Sequence, residues 1–119
     1  MPRILVVDDE PLISMLMEDW LVELGCEVVG PARSVQQGLD IAGSAELDGA
    51  ILDVNLGGNN NSYLVAEALK KRGVPFAFAT GDGVIDATAG FTDPILLPKP
   101  FDFEGVKTVL GKLLARVGD

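Results

Sequence analysis

The side chains in this sequence best suited to chemistry are three aspartates, Asp8, Asp9 and Asp53, with one threonine, Thr80, and one lysine, Lys99. Each stands at the end of a short apolar run. Asp8 and Asp9 follow Arg3 to Val7, Asp53 follows Ala50-Ile51-Leu52, Thr80 follows Pro75 to Ala79, and Lys99 follows Ile95-Leu96-Leu97-Pro98. Two carboxylates about 5 Å apart repel by roughly 3 kcal/mol at an effective dielectric near 20. Three in one crevice therefore need compensating cations or raised pKa values. Lys99 supplies one positive charge, and a divalent ion would supply the rest. The donors are all oxygen and the chain has no histidine, so Mg²⁺ is the expected metal. Asp9 and Asp53 would touch the ion and Asp8 would hold a bound water. The backbone carbonyl of Asn55, two residues past Asp53, can turn back toward the same ion. A carboxylate so placed can attack a phosphoryl group. The Lys99 ammonium, the Thr80 hydroxyl, the metal and nearby backbone N–H groups would stabilise the charge on the transferring oxygens. Gly81, after Thr80, would leave the pocket open to a phosphodonor.

Taken singly, these residues have plainer readings. An acidic pair caps a helix, a threonine closes a turn, and Lys-Pro is a loop. The set is more specific than its members, because the pattern of elements puts them at one edge. Arg3 to Val7 reads as a buried strand. Pro11 suits a first helical position, and Ile13, Leu16, Met17, Trp20, Leu21 and Leu24 mark one helical side before Gly25 stops the helix. Glu27-Val28-Val29 reads as a second strand closed by Gly30-Pro31. Ser34 caps a helix carrying Val35, Leu39 and Ala42. After the third strand comes a polar loop, Gly57 to Ser62, then a helix with Leu64, Val65, Ala68 and Leu69. Pro75 to Ala79 is the fourth strand. Residues 81–93, with three glycines, predict a short, weakly held helix. A fifth strand precedes a last helix over Asp102 to Arg116, with Val106, Val109, Leu110, Leu113 and Val117 on its buried side. Apolar strands alternating with helices predict an α/β fold, a parallel sheet covered on both faces. In such sheets the site lies beyond the carboxyl ends of the strands, where all five residues fall.

The 119 residues form one predicted domain, 1–119. A net charge of −9 argues against nucleic acid and anionic membranes as partners. The one basic run, Lys70-Lys71-Arg72, sits where a helix should end and complements its dipole. No apolar run is long enough to cross a bilayer. The N-terminus does not read as a signal peptide, and a lone Cys26, read as a core residue, fits a reducing cytoplasm.

Val7-Asp8-Asp9-Glu10, Leu52-Asp53-Val54-Asn55-Leu56, Thr80-Gly81 and Lys99-Pro100-Phe101 resemble, in order and spacing, the response-regulator receiver domain of two-component systems, across essentially the whole chain. The resemblance implies a flavodoxin-like (CheY-like), doubly wound five-stranded sheet of order 2-1-3-4-5. It implies that Asp53 is the phosphoacceptor, Asp8 and Asp9 the acidic metal pair, Thr80 the switch hydroxyl and Lys99 the phosphate-sensing lysine. It also implies a cis Lys99–Pro100 peptide. The expected donor is a histidine kinase or a histidine phosphotransfer protein, and the domain would catalyse only its own phosphorylation and dephosphorylation. With no output domain attached, the signal would leave by protein contact or onward phosphotransfer. Pro75-Phe76-Ala77-Phe78-Ala79-Thr80-Gly81 is similar to the subgroup named for its Phe-Ala-Thr-Gly motif, several members of which serve general stress-response phosphorelays.

Two positions depart from the pattern. Asp82 stands where that subgroup has tyrosine, and Leu96 stands where many receivers carry a switch aromatic. Reordering of residues 81–93 when Thr80 moves would then replace the aromatic swing. Met15 and Val22, off the core side of the first helix, offer a docking spot for the donor. The rival functions are an unphosphorylated pseudo-receiver and an aspartate-nucleophile phosphohydrolase. The latter needs a second aspartate where Asn55 stands. A flavin-binding flavodoxin is a third rival, and the chain lacks its hydroxyl-rich phosphate loop.

Overall fold

The computed structural model describes residues 1–57, 60–81, 91 and 94–115. The five apolar runs form β1 (Arg3–Val7), β2 (Glu27–Ala32), β3 (Gly49–Asp53), β4 (Phe76–Thr80) and β5 (Ile95–Pro98). Between and after them lie α1 (Pro11–Glu23), α2 (Val35–Ser44), α3 (Tyr63–Lys71) and α4 (Phe103–Ala115). The strands pair in parallel in the order β2-β1-β3-β4-β5. The expected helix within 81–93, together with Asp82, lies outside the described residues, as do Arg116 and Val117.

Alternation along the buried strands splits the core in two. Ile4, Val6, Ile51, Ala77, Ala79 and Leu97 pack against Met17 and Leu21 of α1 and Val106, Val109, Leu110 and Leu113 of α4. Leu5, Val7, Ala50, Leu52 and Phe78 pack against Ala42 of α2 and Val65, Ala66 and Leu69 of α3. With both faces covered, the strand termini remain open, and register sets them level. Val7 pairs with Leu52, Asp53 with Ala79, and Thr80 with Pro98. Asp8, Asp53, Thr80 and Lys99 thus leave the sheet within two residues of one another.

Gly30-Pro31 does not close β2, contrary to the sequence expectation. The strand continues to Ala32 through a register shift between Leu5 and Val7. Gly30 takes φ +98° there, and a Cβ would meet the Ala32 nitrogen at 2.7 Å. The glycine therefore makes a bulge and not a terminator. The extension serves the site, because Asp8 N–H donates to the Ala32 carbonyl at 2.9 Å. Both Gly30–Pro31 and Lys99–Pro100 are cis.

A second correction concerns α1. Leu16 is exposed, and the buried stripe runs through Ser14, Met17 and Leu21. Ser14 fits because its hydroxyl donates to the Glu10 carbonyl at 3.0 Å. In α3, likewise, Leu64 faces out while Val65, Ala66 and Leu69 are buried. Ser34 caps α2 as expected, accepting from Gln37 N–H at 3.2 Å.

Candidate functional site

Two of the acidic side chains, Asp8 and Asp53, are held by the backbone that follows them. Asp8 Oδ1 accepts from Glu10 N–H at 2.8 Å. Asp53 Oδ1 accepts from Asn55 N–H at 3.2 Å, and Asp53 Oδ2 accepts from Lys99 Nζ at 3.0 Å. Lys99 reaches across because its own N–H donates to the Thr80 carbonyl at 2.9 Å, extending the β4–β5 ladder by one residue. One carboxylate oxygen from each of Asp8, Asp9 and Asp53 lies within 4.8 Å of the other two. Asp53, Thr80 and Lys99 line an open crevice of about 470 Å³ with Glu10, Val54, Asn55 and Gly81.

Burial dominates the electrostatics. It pushes the Asp8 carboxyl up to about 6, with the Asp53 charge adding to the rise and the Glu10 N–H opposing it. Burial also raises Asp53, against the hydrogen bond and charge of Lys99. Burial alone would lower Lys99, but the Asp53 hydrogen bond and the Asp53, Asp8 and Glu10 charges outweigh it and leave the ammonium above its usual value. Three carboxylates against one ammonium leave two negative charges, which a divalent cation balances.

The donor set fits Mg²⁺. All donors are hard oxygens, and their spacing suits an ion with metal–oxygen distances of about 2.1 Å, bound directly or through water. Asn55 fits as well. Val54, Leu56, Asn60 and Ser62 make the antiparallel pairing that flanks it, which leaves the Asn55 carbonyl out of the ladder.

The structure thus brings Asp8, Asp9, Asp53 and Lys99 together and sets Thr80 and Asn55 on the crevice wall. Met15 and Val22 lie elsewhere, exposed on α1. Sequence reasoning missed a neighbouring apolar groove. Ile13, Leu16, Trp20, Pro100 and Phe101 line it, and it shares Glu10 and Lys99 with the crevice. The sequence signal is the pair of aromatics Trp20 and Phe101, whose rings meet edge to face at 6.2 Å, whereas helical spacing alone assigns Trp20 and Leu16 to the core side.

The model of the response regulator receiver domain matches residues 4–110. The phyllosphere-induced regulator PhyR of Methylorubrum extorquens is 34% identical over 115 residues, covering 94% of this chain and 43% of its own. The chain spans about half the length, or less, of the curated relatives it matches. The solution structure of SdrG from Sphingomonas melonis Fr1 superposes with a TM-score of 0.82 at 45% identity, covering 96% of this chain and 97% of that one. A BeF3-activated SdrG conformation matches at 0.78 and 45%, covering 94% and 95%. The receiver domain of Erythrobacter litoralis PhyR matches at 0.87 and 26%, covering 99% and 93%.

Proposed function

The chain belongs to the response regulator receiver family, and from that premise we propose that it accepts a phosphoryl group on Asp53 with Mg²⁺ held by Asp8, Asp9, Asp53 and the Asn55 carbonyl. The observation that carries this reading is the Lys99–Asp53 pair at 3.0 Å on the wall of an open crevice, with carboxylate oxygens of Asp8 and Asp9 within 4.8 Å of one from Asp53. A lysine so placed holds the acceptor carboxylate ionised against its burial. It is also within reach of any phosphoryl group arriving on that carboxylate.

In the proposed reaction an Asp53 carboxylate oxygen attacks phosphorus. The new O–P bond forms as the donor's N–P bond breaks, and the leaving imidazole takes a proton from solvent. Lys99 Nζ exchanges its Asp53 oxygen for a phosphoryl oxygen. Thr80, which lines the crevice at the end of β4, turns its hydroxyl to the same group. Asn55 N–H holds Asp53 Oδ1 and fixes the direction of attack. Bound Mg²⁺ would offset the carboxylate charge and draw the phosphoryl oxygens in.

The donor class that the family implies is a histidine kinase or a histidine phosphotransfer protein. The match to SdrG over nearly all of its chain supports a receiver working as a stand-alone regulator. The PhyR relatives, one of them described as an anti-anti-sigma factor in Bartonella quintana, support an output by protein contact in a stress-type relay. The phosphohydrolase reading has no support at Asn55, which is an amide engaged with Gly57 N–H at 3.1 Å.

The test is titration with beryllofluoride and Mg²⁺, followed by amide NMR and Trp20 fluorescence. Saturable shifts at Asp53, Thr80 and Lys99 that require Mg²⁺ support the reading. A silent titration would identify a pseudo-receiver.

A further inference from the structure

Glu10 follows the acidic pair and stands at the head of α1. Its backbone is fixed on both sides. The N–H donates to Asp8 Oδ1 at 2.8 Å, and the carbonyl accepts from the Ser14 N–H and the Ser14 hydroxyl, each at 3.0 Å. The residue borders both the crevice beside Asp53 and the apolar groove, as Lys99 does. It is exposed, and its side chain gives the helix no cap hydrogen bond. No hydrogen bond or ion pair among the described residues holds its carboxylate.

The Glu10 charge nonetheless reaches the site, adding to the upward shift of both Asp8 and Lys99. Asp8, Asp9 and Asp53 against Lys99 leave two negative charges, which a bound divalent cation would cancel. Glu10 then stands as one negative charge beside a balanced site. A phosphodonor entering the crevice is itself anionic, and its repulsion from Glu10 grows with its own charge.

We propose that Glu10 sets donor selectivity, its unpartnered carboxylate on the crevice wall disfavouring doubly charged small phosphodonors such as acyl phosphates relative to singly charged phosphoramidates. This rests on the receiver reading above. It adds discrimination by repulsion, which none of the residues around the acceptor supplies.

The test compares wild type, Glu10→Gln and Glu10→Asp with two donors. Acetyl phosphate is doubly charged at neutral pH and phosphoramidate singly charged. In both reactions an Asp53 oxygen forms the new O–P bond, and acetate leaves the one donor and ammonia the other. Phosphoryl gain is read by intact mass against time, at saturating Mg²⁺, low ionic strength and donor far below saturation. At about 8 Å in a water-like dielectric, each unit of donor charge costs roughly a factor of two to two and a half. Glu10→Gln should therefore speed acetyl phosphate about fivefold and phosphoramidate about twofold, with the gain shrinking in high salt. Glu10→Asp keeps the charge and should keep the wild-type ratio of the two rates. Equal changes with both donors, or none, overturn the proposal, as does a Glu10→Asp ratio that matches Glu10→Gln. Slower reaction with both donors and a lower urea midpoint in Glu10→Gln also overturn it, since Glu10 would then be a structural residue of α1. If the wild-type chain gains mass from neither donor, the receiver reading itself fails, and not the role of Glu10 alone.

Discussion

Asp8 is costly to ionise in the metal-free fold. Its carboxyl holds a proton up to about pH 6 when folded, against a usual value of 3.8. Between those values the folded state binds more protons than the unfolded state, so this group makes stability fall as pH rises. A gap of about two units corresponds to about 3 kcal/mol, lost by pH 7. We expect urea unfolding in chelator to show that decline from about pH 4 to 7, and Asp8→Asn to flatten it and raise the midpoint at pH 7. Saturating Mg²⁺ should narrow the difference between wild type and variant. A wild-type profile as flat as that of Asp8→Asn would contradict the assignment. Lys99 acts in the opposite sense on the acceptor. Lys99→Met should push the Asp53 carboxyl higher still and slow its reaction with acetyl phosphate by about 10²-fold, read by intact mass against time. At this scale the acidic residues and Lys99 were legible because each ends an apolar run, and register does the rest. The role of Glu10 was not, since the fold alone sets it beside Lys99 between the crevice and the groove.

The elements place these residues through close approaches that small side chains permit. Gly38 in α2 is buried, and a Cβ there would meet Val65 Cγ2 of α3 at 2.9 Å and Val7 Cγ2 of β1 at 3.5 Å. Gly38→Ala should destabilise the fold by about 1–3 kcal/mol, seen as a lower urea midpoint with an unchanged denaturant slope. A midpoint at or above wild type would show that α2 is free to move away. On the opposite face of the sheet, the groove that shares Glu10 and Lys99 with the crevice is lined from α1 by Ile13, Leu16 and Trp20, while Met15 and Val22 are exposed elsewhere on the same helix. The docking proposed for the donor places its helices on these two exposed residues. Alanine at both positions should slow transfer from a phosphorylated histidine protein while leaving the acetyl phosphate rate unchanged, and equal slowing would refute docking. Strand and helix types followed from the sequence because apolar periodicity is strong in β1, β3 and α4. The end of β2 did not, because Gly-Pro reads as a stop and only the pairing with β1 reveals a bulge. Nor did the exposure of Leu16, since a serine takes its place in the buried stripe.

For the whole molecule, one physical circumstance unites these points. A strongly acidic chain, with net charge −9, gathers three carboxylates and one ammonium at the open edge of a sheet whose two faces are covered. Among the described residues no helix is long and apolar enough to cross a membrane. The architecture was legible before the structure because five short apolar runs, four of them ending in a polar residue, permit few other arrangements. The local electrostatics were not, because burial sets them and burial depends on packing. The central claim is that this edge is a phosphorylation site with Asp53 as acceptor. Intact-mass measurement after incubation with acetyl phosphate and Mg²⁺ tests it most directly. We predict that the wild-type chain gains the mass of one phosphoryl group, that chelator prevents the gain, and that Asp53→Asn shows none. A gain that persists in Asp53→Asn, or a wild-type chain that never gains the mass, would contradict the account.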